Sequence, residues 1–238
     1  MRARLLAAGD AVIGIDLKNA EVEADLSTQH GRREAVRAVE ELAPGGVDRL
    51  VLCAGVATST MPRAILPSVN YFGAVELLDG LKDCLKGRPE AAVVVICSNS
   101  AQMGPFQEHP YVLALLEGDE ARAHDLVEKE NGFIAYGGSK HALSRAVRRR
   151  ASEWGEAGVR LNGIAPGPTE TNMIAETRKH PIYGKGFEML EIPVGRLATP
   201  DEMAGIIAFL LSPAAAFIHG SILWADGGND ATIRPDGF

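Results

Sequence analysis

The chain has 238 residues, 46% of them hydrophobic, a length and composition that fit a single α/β domain (1–238) with a substantial core. A formal charge of −7 argues against nucleic acid or an anionic membrane as the main partner, and no apolar run nears the roughly 18 residues needed to span a bilayer. Cys53, Cys84 and Cys97 read as reduced, buried thiols, and the six histidines lack metal-ligand spacing such as HExxH, so we expect no metal site and a cytoplasmic location.

Short β-branched runs alternate with longer amphipathic stretches, the pattern of a doubly wound parallel sheet with crossover helices. In chain order the runs predict strands over 11–16 and 21–25, a helix over 30–42, a strand over 47–54, a helix over 70–86 and a strand over 92–97. A helix over 136–154, a strand over 159–165, a helix over 200–211 and a strand over 222–225 complete the pattern. Thr199-Pro200-Asp201-Glu202 predicts a capping box at the start of the last helix. The basic cluster Arg145, Arg148, Arg149 and Arg150 reads as a solvated helix face.

In such folds ligands bind beyond the carboxyl ends of the strands, where Asp16, Asp25, Cys53-Ala54-Gly55, Ser98 and Pro166-Gly167 fall. Tyr136-Gly137-Gly138-Ser139-Lys140 opens the next predicted helix. A spacing of four puts the phenol and the ammonium on one helix face, where the ammonium is expected to lower the phenol's pKa for proton exchange with a substrate oxygen. Chance helices contain this pair often, and the alternative is an exposed helix with a packed tyrosine. Ser98, delivered by Val93-Val94-Val95-Ile96-Cys97, reads as a hydroxyl for the same oxygen or as a strand-end cap. Asn70 reads as part of a proton path behind the lysine or as a helix cap.

Together these residues resemble the short-chain dehydrogenase/reductase family, through the Tyr-x-x-x-Lys pair, the strand-end serine, the helix asparagine, the Cys53-Ala54-Gly55 turn and Pro166-Gly167-Pro168-Thr169. The resemblance implies a Rossmann-like fold with Ser98, Tyr136, Lys140 and Asn70 catalytic, with Tyr136 and Lys140 also contacting the cofactor and Lys140 bonded to the nicotinamide ribose. It implies that Asp25 and Leu26 flank the adenine, that Cys53, Ala54 and Gly55 pass beneath the adenosine side, and that Pro166, Gly167 and Thr169 lie near the nicotinamide or pyrophosphate. Asp16, an acid at the end of the second family strand, accepts hydrogen bonds from a ribose hydroxyl and repels a 2′-phosphate, which favours NAD over NADP.

Within the family, Gly14-Ile15-Asp16, Ala24-Asp25-Leu26-Ser27-Thr28, Ser68-Val69-Asn70-Tyr71-Phe72-Gly73-Ala74 and Asp226-Gly227-Gly228 are similar to the bacterial 3α-hydroxysteroid dehydrogenase/carbonyl reductases. A helical, acidic insertion over about 104–132 strengthens that similarity and implies a homodimer. The implied substrate is a hydrophobic small molecule: a steroid, a ketone or, as the alternative, an aromatic alcohol of the coniferyl type. Met173, Ile174, Ile182, Tyr183, Phe187, Met189 and Leu190 would cover it, or serve as core or interface contacts.

One family feature is absent. Only fifteen residues precede Asp16, whereas the glycine-rich turn that receives the pyrophosphate normally lies about 20 residues before the acid. Gly9 reads as a helix stop and Gly14 as part of a strand, so neither replaces it. The expectation is that Met1 lies inside the family's first helix and that the native protein carries the first strand and turn upstream. The alternative is a non-catalytic dehydrogenase-like scaffold.

Overall fold

The computed structural model describes residues 1–237. Four strands, β3 (Arg49–Leu52), β4 (Ala92–Ile96), β5 (Arg160–Pro166) and β6 (Ile222–Ala225), form a parallel sheet in that order. Two short strands, β1 (Ile15–Asp16) and β2 (Val22–Glu23), pair in parallel as a separate ribbon. Thus the predicted 11–16 and 21–25 runs are there, shortened to the residues that have a partner. The division of the sheet falls between β1 and β3, which have no hydrogen-bonded strand between them among the described residues.

The alternation of β4 explains why its sequence is apolar throughout. Val93 and Val95 face one core with Ala142, Leu143 and Leu161, while Ala92 and Val94 face a second with Ile164, Ile207, Leu210 and Leu211. A parallel strand covered on both faces has no polar side to display.

Helix α1 (Arg2–Ala7) stops where Gly9 takes a φ of +88°, as expected of that glycine. Helix α2 (Gln29–Leu42) starts at Thr28, whose hydroxyl accepts from the Gly31 N–H. The predicted 70–86 helix is broken into a π-helical turn (Pro67–Phe72), α3 (Gly73–Gly80) and α4 (Lys82–Leu85). Gly80 lets α2 approach closely, since a Cβ there would lie 2.7 Å from a Val36 methyl.

The 104–132 segment, expected to be a helical insertion, contains α5 (Pro110–Glu117) and α6 (Glu120–Val127). Next comes α7 (Gly132–Arg149), which begins a full turn before Tyr136, capped by Asn131, and α8 (Ala151–Glu156) follows it after a break at Arg150. Tyr136 therefore stands inside the helix and does not open it. Two of the four arginines in the basic cluster are engaged: Arg145 donates to the Gln107 carbonyl at 2.7 Å, and Arg150 holds Asp79 with two hydrogen bonds. Only Arg148 and Arg149 form the solvated face expected of all four.

After β5 come α9 (Asn172–Lys179), α10 (Tyr183–Glu188) and α11 (Pro200–Leu211), the last with the predicted capping box between Thr199 and Glu202. A short α12 (Asn229–Ile233) follows β6. Among the described residues no helix is long and apolar enough to cross a membrane. Of the three cysteines only Cys97 is buried; Cys53 lies exposed at the end of β3, contrary to the expectation, because the chain there runs along the open strand ends.

Candidate active site

Four elements bring the central residues together. Ser98 follows β4 and is buried; its Oγ accepts hydrogen bonds from the backbone N–H of Ser100 at 3.2 Å and from the Ser100 hydroxyl at 2.9 Å. It is both a cap and a neighbour of Tyr136, close enough to favour the phenolate. With both incoming bonds supplied by Ser100, the Ser98 proton is left to point toward Tyr136.

Tyr136 and Lys140 descend from α7 on one face. Lys140 Nζ donates to the Ile96 carbonyl at 2.9 Å, and a Cβ placed on Gly55 would stand 3.3 Å from the same nitrogen and 3.4 Å from Asn70 Oδ1. The missing side chain at Gly55 thus leaves a ledge facing both the ammonium and the asparagine.

Asn70 is fully buried and brackets Val56, its Oδ1 accepting from the Val56 N–H at 2.8 Å and its Nδ2 donating to the Val56 carbonyl at 2.9 Å. The same Nδ2 donates to Ser139 Oγ at 3.3 Å, and Ser139 donates to the Tyr136 carbonyl at 2.7 Å. Asn70 therefore sits in a π turn, not at a helix cap, and fixes the β3 turn against α7. Ser139 and Val56 were not singled out in the sequence, although Ser139 lies three residues after Tyr136 and so on the same side of the helix.

The electrostatics depart from expectation. Burial raises the Tyr136 phenol above its ordinary value, with the hydrogen bond from Ser98 drawing it partly back. Burial also lowers Lys140. The expected depression of the phenol by the ammonium is not the pattern found, because Lys140 turns toward Ile96 and the Gly55 ledge.

The remaining predicted residues line the same edge. Asp16 is exposed at the end of β1, its Oδ1 accepting from the Leu17 N–H at 2.7 Å, which orients the carboxylate outward. Asp25 is exposed and closes a turn through Ser27 N–H, while Leu26 packs beside Gly73. Cys53 and Ala54 are exposed at the end of β3. Pro166 ends β5, and Gly167 meets the chain after β6 so closely that a Cβ would lie 2.6 Å from Asp226 Cα. Thr169 is buried, donates to the Gly167 carbonyl at 3.0 Å and pairs with Ala198, so it braces this turn.

Comparison with known proteins decides the family. Over 240 aligned positions the chain is 48% identical to the 3-alpha-hydroxysteroid dehydrogenase/carbonyl reductase of Comamonas testosteroni, covering 100% of this chain and 93% of that protein. The chain belongs to the short-chain dehydrogenase/reductase family. It is an oxidoreductase of that family, and residues 121–230 also match the model described as enoyl-(acyl carrier protein) reductase. The crystal structure of the 3-alpha-hydroxysteroid dehydrogenase from Pseudomonas sp. B-0831 complexed with NADH superposes with a TM-score of 0.97 at 44% identity, covering 100% of this chain and 94% of that one. The cyclohexanol dehydrogenase of Acinetobacter sp. (strain SE19) is 29% identical over 79% of this chain and 80% of its own length. Within this short-chain dehydrogenase/reductase, Tyr136, Lys140, Ser98 and Asn70 lie near one another beyond the ends of β3 and β4, while the pair of glycines between Tyr136 and Lys140 has a packing explanation. A Cβ at Gly137 would lie 2.5 Å from the Phe106 ring and one at Gly138 3.1 Å from the Tyr111 ring, both rings belonging to the segment that precedes α7.

Proposed function

We propose that the chain interconverts a secondary alcohol and a ketone on a hydrophobic substrate of the 3α-hydroxysteroid type, using NAD. The observation that carries this reading is the clustering of Ser98, Tyr136, Lys140 and Asn70 at the carboxyl edge of the sheet. The printed activities of the relatives support the substrate class.

The residues fit a dinucleotide on two counts. The Gly55 ledge leaves room beneath Lys140, and the outward Asp16 carboxylate has one oxygen held by its own backbone and the other available to a ribose. In this reading Asp16 takes the adenosine ribose, Asp25 and Leu26 flank the adenine, Cys53, Ala54 and Gly55 pass below, and Pro166, Gly167 and Thr169 border the nicotinamide end. Lys140 donates to the nicotinamide ribose. A bound nicotinamide supplies or accepts the hydride.

In ketone reduction, the Ser98 hydroxyl and the Tyr136 phenol both donate to the carbonyl oxygen, and Tyr136 gives it a proton as the carbon gains hydride. In alcohol oxidation the phenolate takes the hydroxyl proton back. Asn70 and Ser139 hold the Tyr136 backbone against the β3 turn throughout. None of Met173, Ile174, Ile182, Tyr183, Phe187, Met189 and Leu190 is buried, and Ile182 and Met189 are largely exposed, which supports a role in covering substrate over a role in the core.

A homodimer is supported by exposed Phe209 on α11, Leu223 on the edge strand β6 and Phe217 between them in sequence. Three free cysteines support a reducing, cytoplasmic setting.

Assay of the purified chain should show NAD-linked oxidation of a 3α-hydroxysteroid and NADH-linked reduction of the corresponding 3-ketosteroid, with coniferyl alcohol turned over much more slowly. Turnover of coniferyl alcohol alone would reassign the substrate, and no turnover of either would favour the non-catalytic scaffold. Asp16→Ala is expected to lower the NAD over NADP preference in kcat/KM by about tenfold or more, corresponding to a lost charge-assisted contact of roughly 1.5–3 kcal/mol. An unchanged ratio would remove Asp16 from the ribose site.

A further inference from the structure

Arg32 is a guanidinium 1% exposed, on a helix that carries no part of the cleft. It grips Glu120 of the insertion with two hydrogen bonds, at 3.0 and 2.6 Å, and its Nε lies 3.1 Å from Glu76 of α3. Its Nη1 also donates to the Ser68 carbonyl at 3.3 Å, and its carbon centre stacks 5.8 Å from the Phe72 ring. Ser68 is itself buried; its hydroxyl donates to Glu120 at 2.7 Å and lies 2.8 Å from His124 Nε2. Two members of this cluster, Ser68 and Phe72, belong to the π turn that contains Asn70, and Glu120 reaches that turn from the insertion.

The Ser68 carbonyl also receives the Gly73 N–H, the i to i+5 bond that makes the turn π-helical. Two residues on, Asn70 brackets Val56 beside the Gly55 ledge and reaches Ser139. An extra residue wound into a helix turns the side chains after it, so whatever holds the Ser68 carbonyl sets the angle at which Asn70 meets both partners.

We propose that Arg32 and Glu120 are positioning residues: the insertion, through Glu120, locks the π turn and thereby the Asn70 link to Val56 and Tyr136. This rests on the acid/base assignment given above. Arg32 is buried while Glu76 and Glu120 keep roughly a third of their side chains exposed, so apolar residues of similar volume would stabilise the fold about as well, and the geometric effect is the stronger reason for the cluster. Burial alone would lift the Glu120 carboxyl, yet the bonds from Arg32 and Ser68 outweigh it and hold the group below its ordinary value, ionised and locked at neutral pH.

The test compares Glu120→Gln, Ser68→Ala and Asp79→Asn in the full chain, with kcat expressed per NADH-binding site. Glu120→Gln is expected to lower kcat about ten- to a hundredfold through misplacement of the distant asparagine, with KM and NADH affinity within about twofold of the parent. Ser68→Ala, which removes only a hydroxyl, lowers kcat severalfold with the same split and keeps the question open to measurement should Glu120→Gln not fold. Asp79→Asn breaks the Arg150 pair on the neighbouring helix and is expected to lower the melting temperature without changing kcat per site. Unchanged kcat in Ser68→Ala and any folded Glu120→Gln, or a loss in Asp79→Asn as large as in the other two, overturns the proposal. Tyr136→Phe run alongside separates the two readings: if it stays active the acid/base assignment has failed, whereas if it is silent while the cluster variants are unaffected only the positioning role has.

Discussion

Tyr136→Phe removes turnover, by about a hundred- to ten-thousandfold in kcat, while NADH binds nearly as before. The phenol is the group beside Ser98, whereas the ribose hydrogen bond proposed on α7 belongs to Lys140, so proton transfer and most of the cofactor affinity separate on one helix. Burial raises this phenol above its ordinary value of about 10, so in the parent it stays protonated through neutral and mildly alkaline pH. Ketone reduction, which needs the protonated form, then holds its kcat/KM until the pH climbs through the raised value, and alcohol oxidation gains over the same window. Ser98→Ala removes the bond that favours the phenolate and should move that limb further upward. Steady-state rates in both directions from pH 6 to 11 check the sign; a reduction limb that already falls near neutrality would place the acid elsewhere.

Lys140→Met separates stability from chemistry in the opposite sense to most core substitutions. The ammonium is buried, burial opposes its charge, and Ile96 supplies its hydrogen bond. Methionine fills a similar space without the cost of holding a cation out of water, so the variant is expected to melt no lower than the parent. Its kcat/KM is expected to fall about a hundred- to a thousandfold, the loss found when one preorganised donor is removed from a catalytic site, and NADH should bind more weakly. A thermal scan with steady-state kinetics measures both; a large drop in melting temperature would make Lys140 a structural residue first.

Much of this was legible in the sequence because it depended on period and local signals. The continuous apolar run of β4, the capping box before α11 and the four-residue spacing of Tyr136 and Lys140 are each satisfied within one element, and each is found. What could not be read depended on partners distant in the chain. The break in 70–86 follows from the close approach of α2 at Gly80 and from a π turn held by Arg32, 36 residues before Ser68. The direction of the Tyr136 shift depended on where Lys140 points, and that is set by the Ile96 carbonyl on another element. Likewise, the bond by which the Thr169 hydroxyl donates to the Gly167 carbonyl arises only once the turn is folded, and it leaves the oxygen as an acceptor.

The two rings seated over Gly137 and Gly138 limit how the helix that bears Tyr136 can be altered. A Cβ at Gly137 would collide with Phe106 and stand 3.2 Å from the Ser100 carbonyl, and one at Gly138 would press on Tyr111. Between the tyrosine and the lysine the helix is therefore clamped from outside by aromatic side chains, and a substitution at either glycine would shift Tyr136 before it changed any group that carries a proton.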